Sequence, residues 1–334
     1  MARLPDHFPA LPLTKGVTGD NYFAPPFSVL DGRAKAWQAR KKAWISGFDL
    51  APAEGRDAKS YTLKRGKGNE LLKAEADGIS VFDPVLAETF YQWFAPAGGF
   101  VLDPFGGDIG RGYTAAKMGL HFTGLELRGE QVSTNNAKVP RDCTGSALWI
   151  EGDAADTLAA RKARRGDAHG SADLLIACPP YGPLERYSDH PKDLSNMGRE
   201  AFLRMYKAIT KAAADELKPD SFAVYVVGDY RLPDGSTVSM VKDTWEAFAE
   251  AGITPYNIGV YLTPLGTAPV RINASFLRGK GKLGRVHQQF VVGVKGDPAA
   301  AFARVWGDFK PTTAEEKAAN KTGPTGPTPP DLAR

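Results

Sequence analysis

The chain has 334 residues, with 42 Lys and Arg against 38 Asp and Glu and a formal charge of +4. It can bury a full core, and a nucleic-acid partner has to be argued from where the cations cluster rather than from their total. Two cysteines, Cys143 and Cys178, exclude a disulfide framework and a zinc spacing, so no metal and a reducing compartment are expected. With no apolar leader and no apolar run of bilayer length, the expectation is a cytoplasmic protein without a membrane segment.

Residues 1–30, rich in proline, glycine and aromatics, read as an extended arm anchored by Pro25-Pro26-Phe27. From Asp31 to Ile45 the pattern turns helical. Trp37 and Trp44 face the core, while Arg33, Lys35, Arg40, Lys41 and Lys42 are either solvated or turned to a nucleic-acid strand. Residues 51–76 read as a mobile loop whose basic tip, Lys64-Arg65-Gly66-Lys67, is a candidate DNA contact. At Asp83-Pro84 a helix begins, with aspartate as N-cap and proline in the first position, and it carries an apolar stripe of Val85, Leu86, Phe90, Tyr91 and Phe94.

A strand at Phe100-Val101-Leu102 opens into Asp103-Pro104-Phe105-Gly106-Gly107-Asp108-Ile109-Gly110. Glycines at this density between a strand and a helix let the backbone approach a bound molecule, and Asp103 can accept from a cationic amine. A helix over Tyr113–Met118 leads to a second strand, His121–Leu127, which brings Glu126 to the sheet edge where ribose hydroxyls are bound. A third strand, Leu148–Ile150, delivers Asp153 to the same edge. The run Arg161-Lys162-Ala163-Arg164-Arg165 reads as a solvated helix end.

The fourth strand, from Ala172, must stop at Cys178, because Pro179-Pro180 forbids its continuation. That stop leaves the Pro179 carbonyl outside any ladder and puts Tyr181 at the carboxyl edge, an arrangement suited to a planar base with an exocyclic amino group. Pro183–Met197 reads as a flexible loop beside the site. Helices over Arg199–Leu217 and Lys242–Ala251 alternate with strands at Ser221–Val227, Tyr256–Leu262 and His287–Val294. Thr263–Val286 holds Arg271, Arg278, Lys280, Lys282 and Arg285 and no acidic residue, so it is the candidate phosphate-tracking surface. Beyond Lys310 the composition predicts a disordered tail.

With both edge motifs in hand, the sequence resembles the amino-methylating DNA methyltransferases, and more narrowly the DNA modification methylases of phages and prophages. Asp103-Pro104-Phe105-Gly106-Gly107 is similar to the family's cofactor motif, and Cys178-Pro179-Pro180-Tyr181 to its catalytic motif, usually written with Asp, Asn or Ser first. Phe82-Asp83 is similar to the element covering the methionine end of the cofactor. The resemblance implies a Rossmann-like α/β fold with a seven-stranded, mostly parallel sheet and helices on both faces. S-adenosylmethionine is the implied cofactor, held by Phe82, Asp83, Asp103, Pro104, Phe105, Gly106, Gly107, Glu126 and Asp153. The implied reaction methylates the amino group of a flipped DNA base, adenine N6 favoured over cytosine N4. An RNA substrate and a non-catalytic DNA-binding relative are the alternatives.

The expected organisation is an N-terminal region at 1–77, a catalytic domain at 78–296 with the 263–286 insertion, an extension at 297–309 and a tail at 310–334. A dinucleotide fingerprint spelled by Gly110-Arg111-Gly112-Tyr113-Thr114-Ala115 starts too late after its strand to compete. Cys178 as a nucleophile lacks an activating cation in the sequence and reads better as a small buried thiol.

Overall fold

Short apolar runs alternate with amphipathic stretches through most of the chain, and in the computed structural model the runs become strands of one sheet. The described residues are 14–15, 21–22, 26–47, 82–139, 141–165, 170–182, 187–232, 234–264, 276–277, 279 and 281–307. Strands β1 (Val29–Asp31), β2 (Phe100–Asp103), β3 (His121–Glu126), β4 (Ser146–Glu151), β5 (Ala172–Ala177), β6 (Leu217–Val227), β7 (Thr254–Leu262) and β8 (His287–Lys295) stand in the order β1-β7-β8-β6-β5-β2-β3-β4. From β6 to β4 the neighbours run parallel, while β8 is inserted antiparallel between β6 and β7. The order of connection across the sheet reverses between β2 and β5. Open α/β sheets leave a crevice at the carboxyl edge of such a switch.

The sheet has eight strands where the sequence predicts seven. The additional one is β1, which pairs parallel with β7 and buries Leu30 to 3% exposure. Leu30 is therefore a buried anchor of the arm, whereas Phe27 of the expected Pro25-Pro26-Phe27 anchor is 68% exposed and Pro25 lies outside the described residues. The basic tip at 64–67 and the tail from 310 also lie outside them.

Helices cover both faces. One core packs α1 (Lys35–Gly47), α2 (Pro84–Phe94), α3 (Gly110–Lys117), α4 (Gly129–Lys138) and α8 (Pro298–Trp306) on the sheet through Trp44, Phe90, Tyr91, Phe122 and Trp149. The opposite core uses α5 (Ala154–Arg165), α6 (Arg199–Glu216) and α7 (Met240–Glu250), with Leu158, Phe202, Tyr206, Tyr225 and Phe248. Strand β5 is buried along its whole length, as a central parallel strand must be. Among the described residues no helix is long and apolar enough to cross a membrane.

Two local rules set the approach to the crevice. Asp83 caps α2 by accepting from the Val85 amide at 3.0 Å, and Pro84 supplies a residue that needs no donor there. The G-x-G-x-x-A run from Gly110 lies inside α3 and not in a strand-to-helix turn. Gly112 is there for packing: a Cβ would stand 2.2 Å from the Trp149 ring.

Candidate active site

The two edge motifs meet on one cavity of about 760 Å³, within the range of small-molecule sites. Phe82, Asp83, Pro104, Phe105, Gly107, Glu126 and Asp153 line it on one side, and Cys178, Pro179, Pro180 and Tyr181 on the other. Each segment arrives at the end of a parallel strand: the glycine loop after β2, Glu126 closing β3, Asp153 just beyond β4 and the Pro-Pro stop after β5.

The glycine loop is held from below. Gly107 takes a positive φ of 50°, donates its amide to Glu126 Oε2 at 3.0 Å and accepts from Asn135 Nδ2 at 2.8 Å. Glu126 Oε1 accepts from the Arg128 amide and Nε at 3.1 and 3.0 Å, which fixes the carboxylate at the cavity wall. Asp153 caps α5 through the Asp156 amide at 3.0 Å. Asp83 serves as a junction besides its capping role, accepting from Tyr261 Oη at 2.6 Å and pairing with Lys41 Nζ at 3.0 Å.

Two predicted cofactor residues do not reach the wall. Asp103 is fully buried behind it, accepting from the Phe105 amide and paired with Arg111 Nε, so its carboxylate is not offered to a cationic amine. Burial raises the Asp103 carboxyl above its ordinary value against the pull of Arg111. Gly106 is turned into the protein, with its amide on the Leu125 carbonyl and its own carbonyl accepting from Trp149 Nε1 at 3.2 Å.

On the other side, the Tyr181 hydroxyl accepts from Gln288 Nε2 at 2.8 Å and pairs with the Cys178 sulfur at 3.2 Å, and its ring lies over Gly228. Among the described residues no group donates to the Pro179 carbonyl. Burial pushes the Cys178 thiol up to about 11, against the opposing pull of Arg111 and Tyr181, so it is a neutral thiol and no nucleophile at physiological pH. Iodoacetamide labelling of Cys178, followed by peptide mass spectrometry, is expected to accelerate about tenfold per pH unit from pH 8 to pH 10. A plateau in that range would mean an acidic thiol.

The segment after the site is less loose than its composition suggests. Asp193, buried at 5% exposure, accepts from Ser188 Oγ, Ser195 Oγ and the Ser195 amide, so residues 187–197 form a bonded turn rather than the predicted flexible loop; residues 183–186 lie outside the described ones. Of the predicted phosphate contacts, Arg271, Arg278 and Lys280 also lie outside them. Lys282 is exposed, and Arg285 lines the cavity while bonding the Asp229 carbonyl. Lys41, Lys192 and Arg231 line it too. Arg111, Gln288 and Asn135 are the site residues that sequence reasoning missed. A cation eight positions after Asp103, inside the glycine-rich stretch, was the available signal for the first.

No protein-family model matches the chain, and no curated protein matches it. Among solved structures it is similar to TrmN from Thermus thermophilus, with 16% identity over 64% of this chain and 49% of that one and a TM-score of 0.40. It is similar also to magnesium protoporphyrin IX methyltransferase (ChlM) from Synechocystis PCC 6803 with bound SAM, with 11% identity over 76% and 97% of the two chains and a TM-score of 0.41. A third, also from Thermus thermophilus, is TTHA0409, described as a DNA modification methylase, with 18% identity over 50% and 56% and a TM-score of 0.31. This chain thus spans about half of the TrmN chain. Likeness this distant says nothing about substrate, and the fold assignment stands on strand order: a parallel sheet with its switch point at β2 and β5 and an antiparallel strand inserted near one edge. The fold is that of the Rossmann-like methyltransferases.

Proposed function

We propose that this protein transfers the methyl group of S-adenosylmethionine to the exocyclic amino group of a base flipped out of DNA, with adenine N6 favoured over cytosine N4. The observation that carries the reading is the convergence of the glycine loop and the Cys178-Pro179-Pro180-Tyr181 turn on one cavity, where no described residue donates to the Pro179 carbonyl. The residues present fit the cofactor. Glu126 and Asp153 place carboxylates on one wall for ribose hydroxyls and an adenine amino group, with Leu127 and Ala154 beside them as apolar surface. Bound there, S-adenosylmethionine supplies a methyl group on a sulfonium, ready for displacement by a nitrogen lone pair.

The chain's own part is positioning. The Pro179 carbonyl accepts a hydrogen from the substrate amino group and aims its lone pair, which conjugation with the ring otherwise weakens. The Tyr181 ring offers a face on which the extruded base stacks, offsetting part of the unstacking cost. Cys178, a weak acceptor, contributes shape more than hydrogen bonding. Lys41, Lys192, Arg231 and Arg285 around the cavity suit a substrate that carries phosphates. The test is nucleoside mass spectrometry on duplex DNA incubated with the purified protein and S-adenosylmethionine. N6-methyladenine or N4-methylcytosine is the expected product. Unmarked DNA beside marked RNA would move the substrate class, and absence of any mark together with absence of cofactor binding would overturn the enzyme reading.

A further inference from the structure

The position behind the glycine loop where the sequence suggests an amine-binding aspartate is organised differently here. Arg111, on the second residue of α3, is 3% exposed and lines the cavity. Its Nε is spent on Asp103, and its Nη2 on the carbonyls of Phe105 at 2.8 Å and Gly106 at 3.3 Å. Its Nη1 bonds no described residue. The guanidinium lies over the Phe82 ring, 4.7 Å from its centroid, so one face is covered and the cavity-side edge is left to act. Burial disfavours the charge, but Asp103 and Asp108 outweigh it and hold the guanidinium protonated.

A buried guanidinium whose Nη1 faces a cavity wall calls for an anion there, and Nη1 offers a charge-assisted hydrogen bond to a carboxylate oxygen. Asp108 lines the same cavity, its oxygens accepting from the Gly110 and Phe82 amides at 2.7 and 3.0 Å. The wall therefore presents a cation and a carboxylate a single helical turn apart in sequence. That charge pattern complements an α-amino-acid zwitterion.

We propose that Arg111 binds the α-carboxylate of the methionyl end of the cofactor, with Asp103 as the positioning residue that orients the guanidinium from behind. This rests on the reading of the cavity as an S-adenosylmethionine site, and it reverses the polarity that the motif alone suggests: the strand-end aspartate holds a protein cation, and the protein cation holds the ligand anion.

The test varies protein and ligand together. Isothermal titration compares S-adenosylmethionine with its decarboxylated analogue, which lacks only the carboxylate, on wild type, Arg111→Lys and Arg111→Met. Wild type is expected to prefer the carboxylated ligand about 100-fold, the lysine variant about 10-fold and the methionine variant less than about threefold. Equal binding of the two ligands by wild type overturns the proposal and needs no variant to fold. An equal loss of both ligands in Arg111→Met, with the preference kept, assigns Arg111 a purely structural role and also overturns it. Binding of neither ligand by wild type removes the cofactor reading itself, and this assignment with it.

Discussion

Replacing Glu88 with alanine is expected to destabilise the protein by about 3–5 kcal/mol, because it strands a buried cation. Glu88 is fully buried in α2 and accepts from Arg40 Nη2 and Nε at 2.6 and 3.0 Å and from Trp44 Nε1 at 2.6 Å. Arg40 is itself 3% exposed, so bulk solvent does not compensate the lost carboxylate. Burial raises the Glu88 carboxyl above its ordinary value, and Arg40 works against that shift. Glu88→Gln, which keeps an acceptor for Trp44, should cost less, about 1.5–3 kcal/mol. Replacing Glu88 and Arg40 together by methionine should recover most of the loss, since an apolar pair of similar volume needs no charge compensation. Urea denaturation with an unchanged slope is the measurement. A cost below about 1 kcal/mol for Glu88→Ala would show that the pair is not the clamp described here. The clamp also reaches the cavity: Lys41 of α1 pairs with Asp83, which accepts from Tyr261, so loosening α1 is expected to loosen the Phe82-Asp83 wall.

What the sequence discloses here is what local chemistry decides. A proline pair ends β5 whatever surrounds it, an aspartate before a proline starts α2, and tryptophans seven residues apart in a helical pattern turn inward, to 4% and 0% exposure for Trp37 and Trp44. Glu126 and Asp153 reach the cavity because each comes at or just after the end of a parallel strand. What it hides is pairing between distant residues. Nothing in Asp103-Pro104-Phe105 shows that its carboxylate turns inward, because that depends on Arg111 filling the space beneath the loop. The tie from Gln288 to Tyr181 spans 107 residues, and Leu30 pairs with Tyr261 of β7, far along the chain. The 187–197 turn misleads in another way: a polar composition suggests mobility, yet three of its polar groups are spent on one buried aspartate.

Tyr181→Ala is expected to lower kcat/KM for methyl transfer about 10- to 100-fold while leaving S-adenosylmethionine binding unchanged, if the ring is the face on which the extruded base stacks. The hydroxyl makes a separate contribution. It joins Gln288 Nε2 to the Cys178 sulfur, and that chain fixes the ring over Gly228 at the cavity wall. Tyr181→Phe removes both hydrogen bonds and keeps the aromatic face, so its loss should stay within about tenfold; Gln288→Ala, which frees the same ring from one partner only, should match it or fall short of it. Tyr181→Trp, with a larger face and no hydroxyl at that position, should retain more activity than Tyr181→Ala. The order of these variants separates two accounts of one residue. If Tyr181→Phe fell as far as Tyr181→Ala, the hydroxyl would be the working group, and the tyrosine would act by polarising or orienting the substrate amino group through a hydrogen bond. If Tyr181→Ala also lost cofactor affinity, the ring would belong to the cofactor wall, and the base would have to find its stacking partner elsewhere in the cavity.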